Sequence, residues 1–86
     1  MRLDKFLKLS RLIKRRTVAK DVSDQGRVWI NGREAKASTH VKSGDQLVIQ
    51  FGQKSIVVQV ETIFEAPRKE QTEQMYTIIE ERSNSV

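Results

Sequence analysis

Gln25-Gly26-Arg27-Val28-Trp29-Ile30-Asn31-Gly32 is the stretch on which the fold turns. Gly26 stands where a helix would end in a left-handed residue. Beyond it the period of the chain changes from helical to alternating, because Val28 and Ile30 are interleaved with Arg27 and Trp29. Asn31-Gly32 then supplies a two-residue hairpin signal, since both positions of the tightest hairpin turn need a positive φ. Helices lie upstream of this switch and strands downstream, which makes the chain α+β.

Upstream, Leu3, Phe6 and Leu7 repeat at i, i+3, i+4 and mark one helical face. Arg2, Lys5 and Lys8 step along another side of the same helix as a basic stripe facing water. Leu12 and Ile13 make a short apolar connector. A second helix is predicted from Arg16 to Gln25, with Val18, Ala19 and Val22 buried and with Arg16 and Lys20 exposed. Downstream, Arg33 to Lys36 reads as a short return strand and Lys42-Ser43-Gly44-Asp45 as a turn. Strands follow at Gln46 to Phe51 and, past Gly52-Gln53, at Ser55 to Ile63. The layout is two N-terminal helices packed on a small, mostly antiparallel sheet, with a domain boundary near Phe64. Residues 65–86 form a polar linker, which holds the only proline, Pro67, and a C-terminal element. Met75, Ile78 and Ile79 have helical spacing, with Glu70 and Glu73 near the start, so this element is a short helix. Tyr76 to Ile79 fits an added edge strand equally well. Arg82 to Val86 is expected to fray.

An 86-residue chain buries one modest core and leaves little material for a deep substrate cleft. It has no cysteine, which removes disulfides and thiolate metal sites. No apolar run has signal-peptide length or approaches the roughly 20 residues that span a bilayer, so the expected location is cytoplasmic, with no membrane partner. The net charge of +5 is unevenly placed. Residues 1–36 carry eleven Lys/Arg against four Asp/Glu, an excess of +7, whereas residues 62–86 carry three against five. That asymmetry points to a polyanion on the N-terminal half.

Catalysis finds no frame here. His40 is the only histidine and lies among small polar residues, without a second nitrogen or sulfur ligand or a triad partner. Asp21 and Asp24 stand three apart on a basic helix, which fits internal ion pairing better than acid–base chemistry. The four glycines are scattered singly, so no phosphate loop exists. The expectation is a non-enzyme without metal or cofactor.

The positive signal is Arg11, Lys14, Arg15 and Arg16, four cations within six residues at the joint between the helices. They repel one another unless an anion or water intervenes. The cluster ends at a helix N-terminus, whose free N–H groups and dipole also favour phosphate. The stripes of Arg2/Lys5/Lys8 and Arg16/Lys20 could extend this patch into a continuous surface. Arginine suits the task because its planar fork holds two phosphate oxygens or stacks on an unpaired base. Trp29 could stack in the same way. In a chain so poor in aromatics, packing on the outer sheet face or against the C-terminal element is the better reading for it.

Arg2-Leu-Asp-Lys-Phe-Leu, Arg15-Arg16-Thr-Val-Ala, Gln25-Gly-Arg-Val-Trp-Ile-Asn-Gly and Val41-Lys-Ser-Gly-Asp, in this order, resemble the S4 RNA-binding domain, or αL motif. The resemblance covers residues 1–49 and is greatest to the small ribosome-associated heat-shock S4 and RqcP group. It implies an S4-type fold and an RNA face of Arg2, Lys5, Arg11, Arg15, Arg16 and Lys20, to which the cluster adds Lys14. Asp4 would orient Arg2 or Lys5, and the Asn31-Gly32 hairpin tip would approach the RNA backbone. Arg15 departs from the family by standing where many relatives carry a capping serine, which weakens the cap but adds charge. The implied partners are large-subunit rRNA, tRNA stranded on the ribosome, and a quality-control factor that extends the nascent chain, met by a monomer. Two other classes compete: a basic module docking an acidic protein, and an RNA-binding accessory of an RNA-modifying enzyme.

Overall fold

The computed structural model describes residues 1–83. Its elements are α1 (Leu3–Leu9), α2 (Arg16–Asp24), β1 (Val28–Ile30), β2 (Arg33–Glu34), β3 (Gln46–Phe51), β4 (Lys54–Val60), a 3-10 helix (Lys69–Met75) and β5 (Tyr76–Ser83). The strands form one antiparallel sheet in the order β2-β1-β3-β4-β5. The α+β expectation holds, and β3 has the predicted bounds.

Leu3, Phe6 and Leu7 are wholly buried, as their spacing requires. They meet Val28, Leu47, Ile49, Val58 and Val60 from one face of the sheet, with Ala19, Val41 and Met75 closing the same core. The first N–H groups of α1 are satisfied mainly by a distant loop. Leu3 N donates to Thr39 O at 2.7 Å, Asp4 N to Ala37 O at 3.2 Å, and Lys5 N to the Asp4 carboxylate at 2.8 Å. Loop 37–41 therefore seals that helix end.

Helix α2 buries Ala19 as predicted, but its inward face is shifted away from Val18 and towards Ser23. Ala19 and Ser23 are fully buried, Val22 is half-buried, and Val18 is 43% exposed. The small pair at i, i+4 is what lies inward. The Ser23 hydroxyl donates to Ala19 O at 2.8 Å, so the buried polar atom is satisfied. Hydropathy alone ranks valine above serine and misses this. Helix α2 ends as its glycine predicts. Gly26 has φ 78°, Gly26 N donates to Ser23 O at 3.1 Å, and Arg27 N to Val22 O at 3.3 Å.

Asn31 and Gly32 have φ of 51° and 84°, the left-handed pair expected of the β1–β2 hairpin. The return strand is shorter than predicted. Past Glu34 the chain leaves the sheet and buries Ala35 and Ala37. On the outer face, Trp29 is paired in register with Val48, and Val48 with Val57. Trp29 thus stands half-buried on the outer sheet face, one of the two packing positions expected of it.

Of the two alternatives for the C-terminal element, the edge strand from Tyr76 is the one found, and not the helix that Met75, Ile78 and Ile79 suggest. Met75 ends the 3-10 turn inside the core, while Ile78 and Ile79 remain exposed on β5. A run of Tyr-Thr-Ile-Ile favours extended backbone, and β4 needs an edge partner. The pairing of Val57 with Glu80 and of Val58 with Ile78 leaves Ile79 as the extra residue of a bulge. Arg82 and Ser83, expected to fray, are part of β5, and Arg82 is held by Glu80 at 2.8 Å. Residues 84–86 of the expected tail lie outside the described residues.

Candidate nucleic-acid interface

The cations fall into two groups at opposite ends of α1, about 10 Å apart for a seven-residue helix rising roughly 1.5 Å per residue. At its N-terminal end, one carboxylate serves two arginines. Arg2 Nε reaches Asp4 Oδ1 at 3.2 Å and its Nη2 reaches Oδ2 at 3.3 Å, while Arg16 Nη2 approaches Oδ1 at 3.5 Å. The Asp4 side chain is 3% exposed, against 45% and 51% for Arg2 and Arg16. A buried carboxylate thus holds two half-exposed guanidinium groups from two different helices, leaving a net positive charge on the surface. Asp4 orients Arg2, as the resemblance implies, and it also holds Arg16, which no sequence argument foresaw.

At the other end of α1, Lys8, Arg11 and Lys14 line an open concavity of about 360 Å³. None of the three is engaged by a carboxylate among the described residues. Lys8 belongs to the predicted stripe but not to the predicted RNA face. Its i, i+3, i+6 spacing with Arg11 and Lys14 is the signal that finds it, although Arg11 and Lys14 lie beyond the helix. Arg15 is exposed and precedes α2 in extended conformation, with no side-chain cap, as its departure from serine predicts.

The other predicted residues are less free. Lys5 Nζ pairs with Glu65 at 3.2 Å, a contact across 60 residues that ties α1 to the segment beyond β4. Lys20 pairs with Asp24 at 3.2 Å, one helical turn on. Asn31 donates to Asp45 at 3.0 Å and accepts from Gln46 N at 2.9 Å, so its amide fastens the hairpin to the 42–45 turn. Gly32 sits at the exposed tip. Backbone pairing with Arg2 places His40 beside the N-terminal group.

Asp24 also accepts from Ala37 N at 2.9 Å. That hydrogen bond first, and Lys20 second, hold its carboxyl below the ordinary aspartate value of 3.8. A depressed native pKa contributes stability that is complete above the unfolded value and is lost as pH falls through the native one. Asp24→Asn should therefore be less stable than wild type near pH 7, with the gap starting to close below about pH 4. Urea unfolding between pH 7 and 2.5 measures this, and a gap that does not change with pH would show the ionisation to be uncoupled from folding.

Comparison with known proteins places this geometry in a family. The S4 domain model matches residues 1–47. A Bacillus subtilis protein named RQC P-site tRNA stabilizing factor is 60% identical over 81 residues, which covers 94% of each chain. A Listeria monocytogenes protein of the same name is 59% identical, over 94% of this chain and 88% of that one. Among solved structures, that of trimeric Vibrio cholerae heat shock protein 15 superposes with a TM-score of 0.82 at 32% identity, over 91% of this chain and 80% of that one. The predicted S4-type fold is therefore correct, and the chain belongs to the S4 domain family, in the group of the RQC P-site tRNA stabilizing factors.

Proposed function

We propose that this chain is a cytoplasmic, non-catalytic RNA-binding protein that sits on the large ribosomal subunit and stabilises stranded P-site tRNA during ribosome-associated quality control. Near-full-length identity of 60% to a factor named for that task supports the reading. The observation that carries it physically is the carboxylate-free trio of Lys8, Arg11 and Lys14 one helix away from the Arg2–Asp4–Arg16 pair. Two cationic points at the two ends of α1 suit the sugar-phosphate of folded RNA, which is recognised mainly by backbone and shape. In this reading residues 1–64 form the RNA-binding unit, acting as a monomer, and residues 65–86 are the C-terminal element, whose β5 (Tyr76–Ser83) closes the sheet and whose Glu65 tethers Lys5. rRNA and tRNA are both contacted, while a separate quality-control factor extends the nascent chain.

Purified protein should co-sediment with large subunits that carry peptidyl-tRNA. The logarithm of its affinity should fall against log salt with a slope of roughly −2 to −5, for about three to five phosphates at −0.7 to −0.9 each. A flat salt response with RNA, together with tight capture by an acidic protein, would overturn the reading.

A further inference from the structure

Arg11 has a φ of 64°, in the left-handed region that bulky side chains rarely adopt. Both helices of the molecule end in this way. In α2 the left-handed residue is Gly26, with its N–H on Ser23 O at 3.1 Å. In α1 it is Arg11, with its N–H on Lys8 O at 3.1 Å and Ile13 N returning to Leu7 O at 3.0 Å. Each helix thus ends on a left-handed residue whose N–H returns three positions, a glycine once and an arginine once. Asn31, the other non-glycine residue at positive φ, is of a type that tolerates it, and its amide makes two hydrogen bonds. Arg11 has no such compensation, since its exposed guanidinium engages no carboxylate or carbonyl among the described residues. Nothing in the fold explains why a residue disfavoured by this backbone should be here.

Its surroundings do. With Lys8 and Lys14 it lines the 360 Å³ concavity, where three like charges gather with no acid beside them. The ligand that relieves this is an anion with several oxygens and room for substituents on both sides, which describes a phosphodiester in an RNA chain. We infer that Lys8, Arg11 and Lys14 form a discrete phosphodiester subsite, and that Arg11 stands at a glycine position because binding gains there what folding loses. The inference rests on the RNA-binding reading above and adds to it Lys8 and a stability trade-off at Arg11.

Arg11→Gly separates the two roles. The variant should melt about 2–6 °C above wild type, because the backbone strain is released. It should bind large ribosomal subunits and tRNA roughly tenfold or more weakly, with the salt slope reduced in magnitude by about one. Lys8→Gln and Lys14→Gln, which leave the turn unchanged, should weaken binding without shifting the melting temperature. Arg11→Lys should keep the wild-type melting temperature and bind between wild type and Arg11→Gly. A melting temperature that fails to rise in Arg11→Gly, or binding within about twofold of wild type, overturns the subsite while leaving the RNA reading intact. Wild-type protein that binds neither tRNA nor subunits with a steep salt response overturns both. Loss of an acidic protein partner with RNA binding unchanged assigns the trio to that partner and overturns the subsite.

Discussion

A chain carrying both Arg2→Ala and Arg16→Ala is expected to bind ribosomal RNA about 30- to 20,000-fold more weakly, and to lose more stability than the two single variants together. The binding loss follows from removing two charge-assisted contacts at about 1–3 kcal/mol each, with tenfold for every 1.4 kcal/mol. The stability effect follows from Asp4. In either single variant the other arginine still faces the buried carboxylate, at 3.2–3.3 Å for Arg2 or 3.5 Å for Arg16. In the double variant that carboxylate keeps only the Lys5 N–H at 2.8 Å. Stranding a desolvated charge in this way costs about 1–3 kcal/mol, at the lower end of what broken buried ion pairs show because both arginines are half in water. A double-mutant cycle in urea measures the coupling. Adding Asp4→Asn to the double variant should recover stability without recovering RNA binding. Strict additivity of the two single variants would show that the arginines do not share Asp4.

Phe6→Ala should be the most damaging single substitution to the fold, at about 3–5 kcal/mol. Phe6 is wholly buried and is the largest side chain of the core. It lies between the two cation groups along α1, so the same residue that fills the core also fixes the helix that spaces them. A domain of this size has total stability near the low end of about 5–15 kcal/mol, which leaves the variant close to its unfolding transition at physiological temperature. Urea denaturation should show a midpoint about 2–4 M lower with an unchanged slope. A loss under 1 kcal/mol would mean that α1 is not packed as described.

Much of the architecture was legible because it is local. The i, i+3, i+4 pattern of Leu3, Phe6 and Leu7 needs only one helical turn to be read, and the Asn31-Gly32 turn needs only two residues. Gln46 to Phe51 is an apolar run set between the Lys42–Asp45 turn and Gly52, so its bounds could be read directly. The misreadings share a cause. Val18 looks like core and Ser23 does not, yet close helix packing selects the small residue whose hydroxyl can bond to its own helix. Met75, Ile78 and Ile79 look helical until the open edge of β4 recruits them as a strand. In both places a contact between distant segments outweighs the local pattern.

The candidate site divides in the same way. Sequence by itself determined that the basic charge is concentrated before residue 37, that it clusters between two helices, and that chemistry based on cysteine or paired histidines is absent. Only the tertiary structure decided which of those charges are available. Asp4 meets Arg16 across 12 positions and Glu65 meets Lys5 across 60, while Lys8, Arg11 and Lys14 meet no acid among the described residues. Neutralisation depends on separation through space, weakening with distance and screened beyond roughly 10 Å, and it has no counterpart in spacing along the chain.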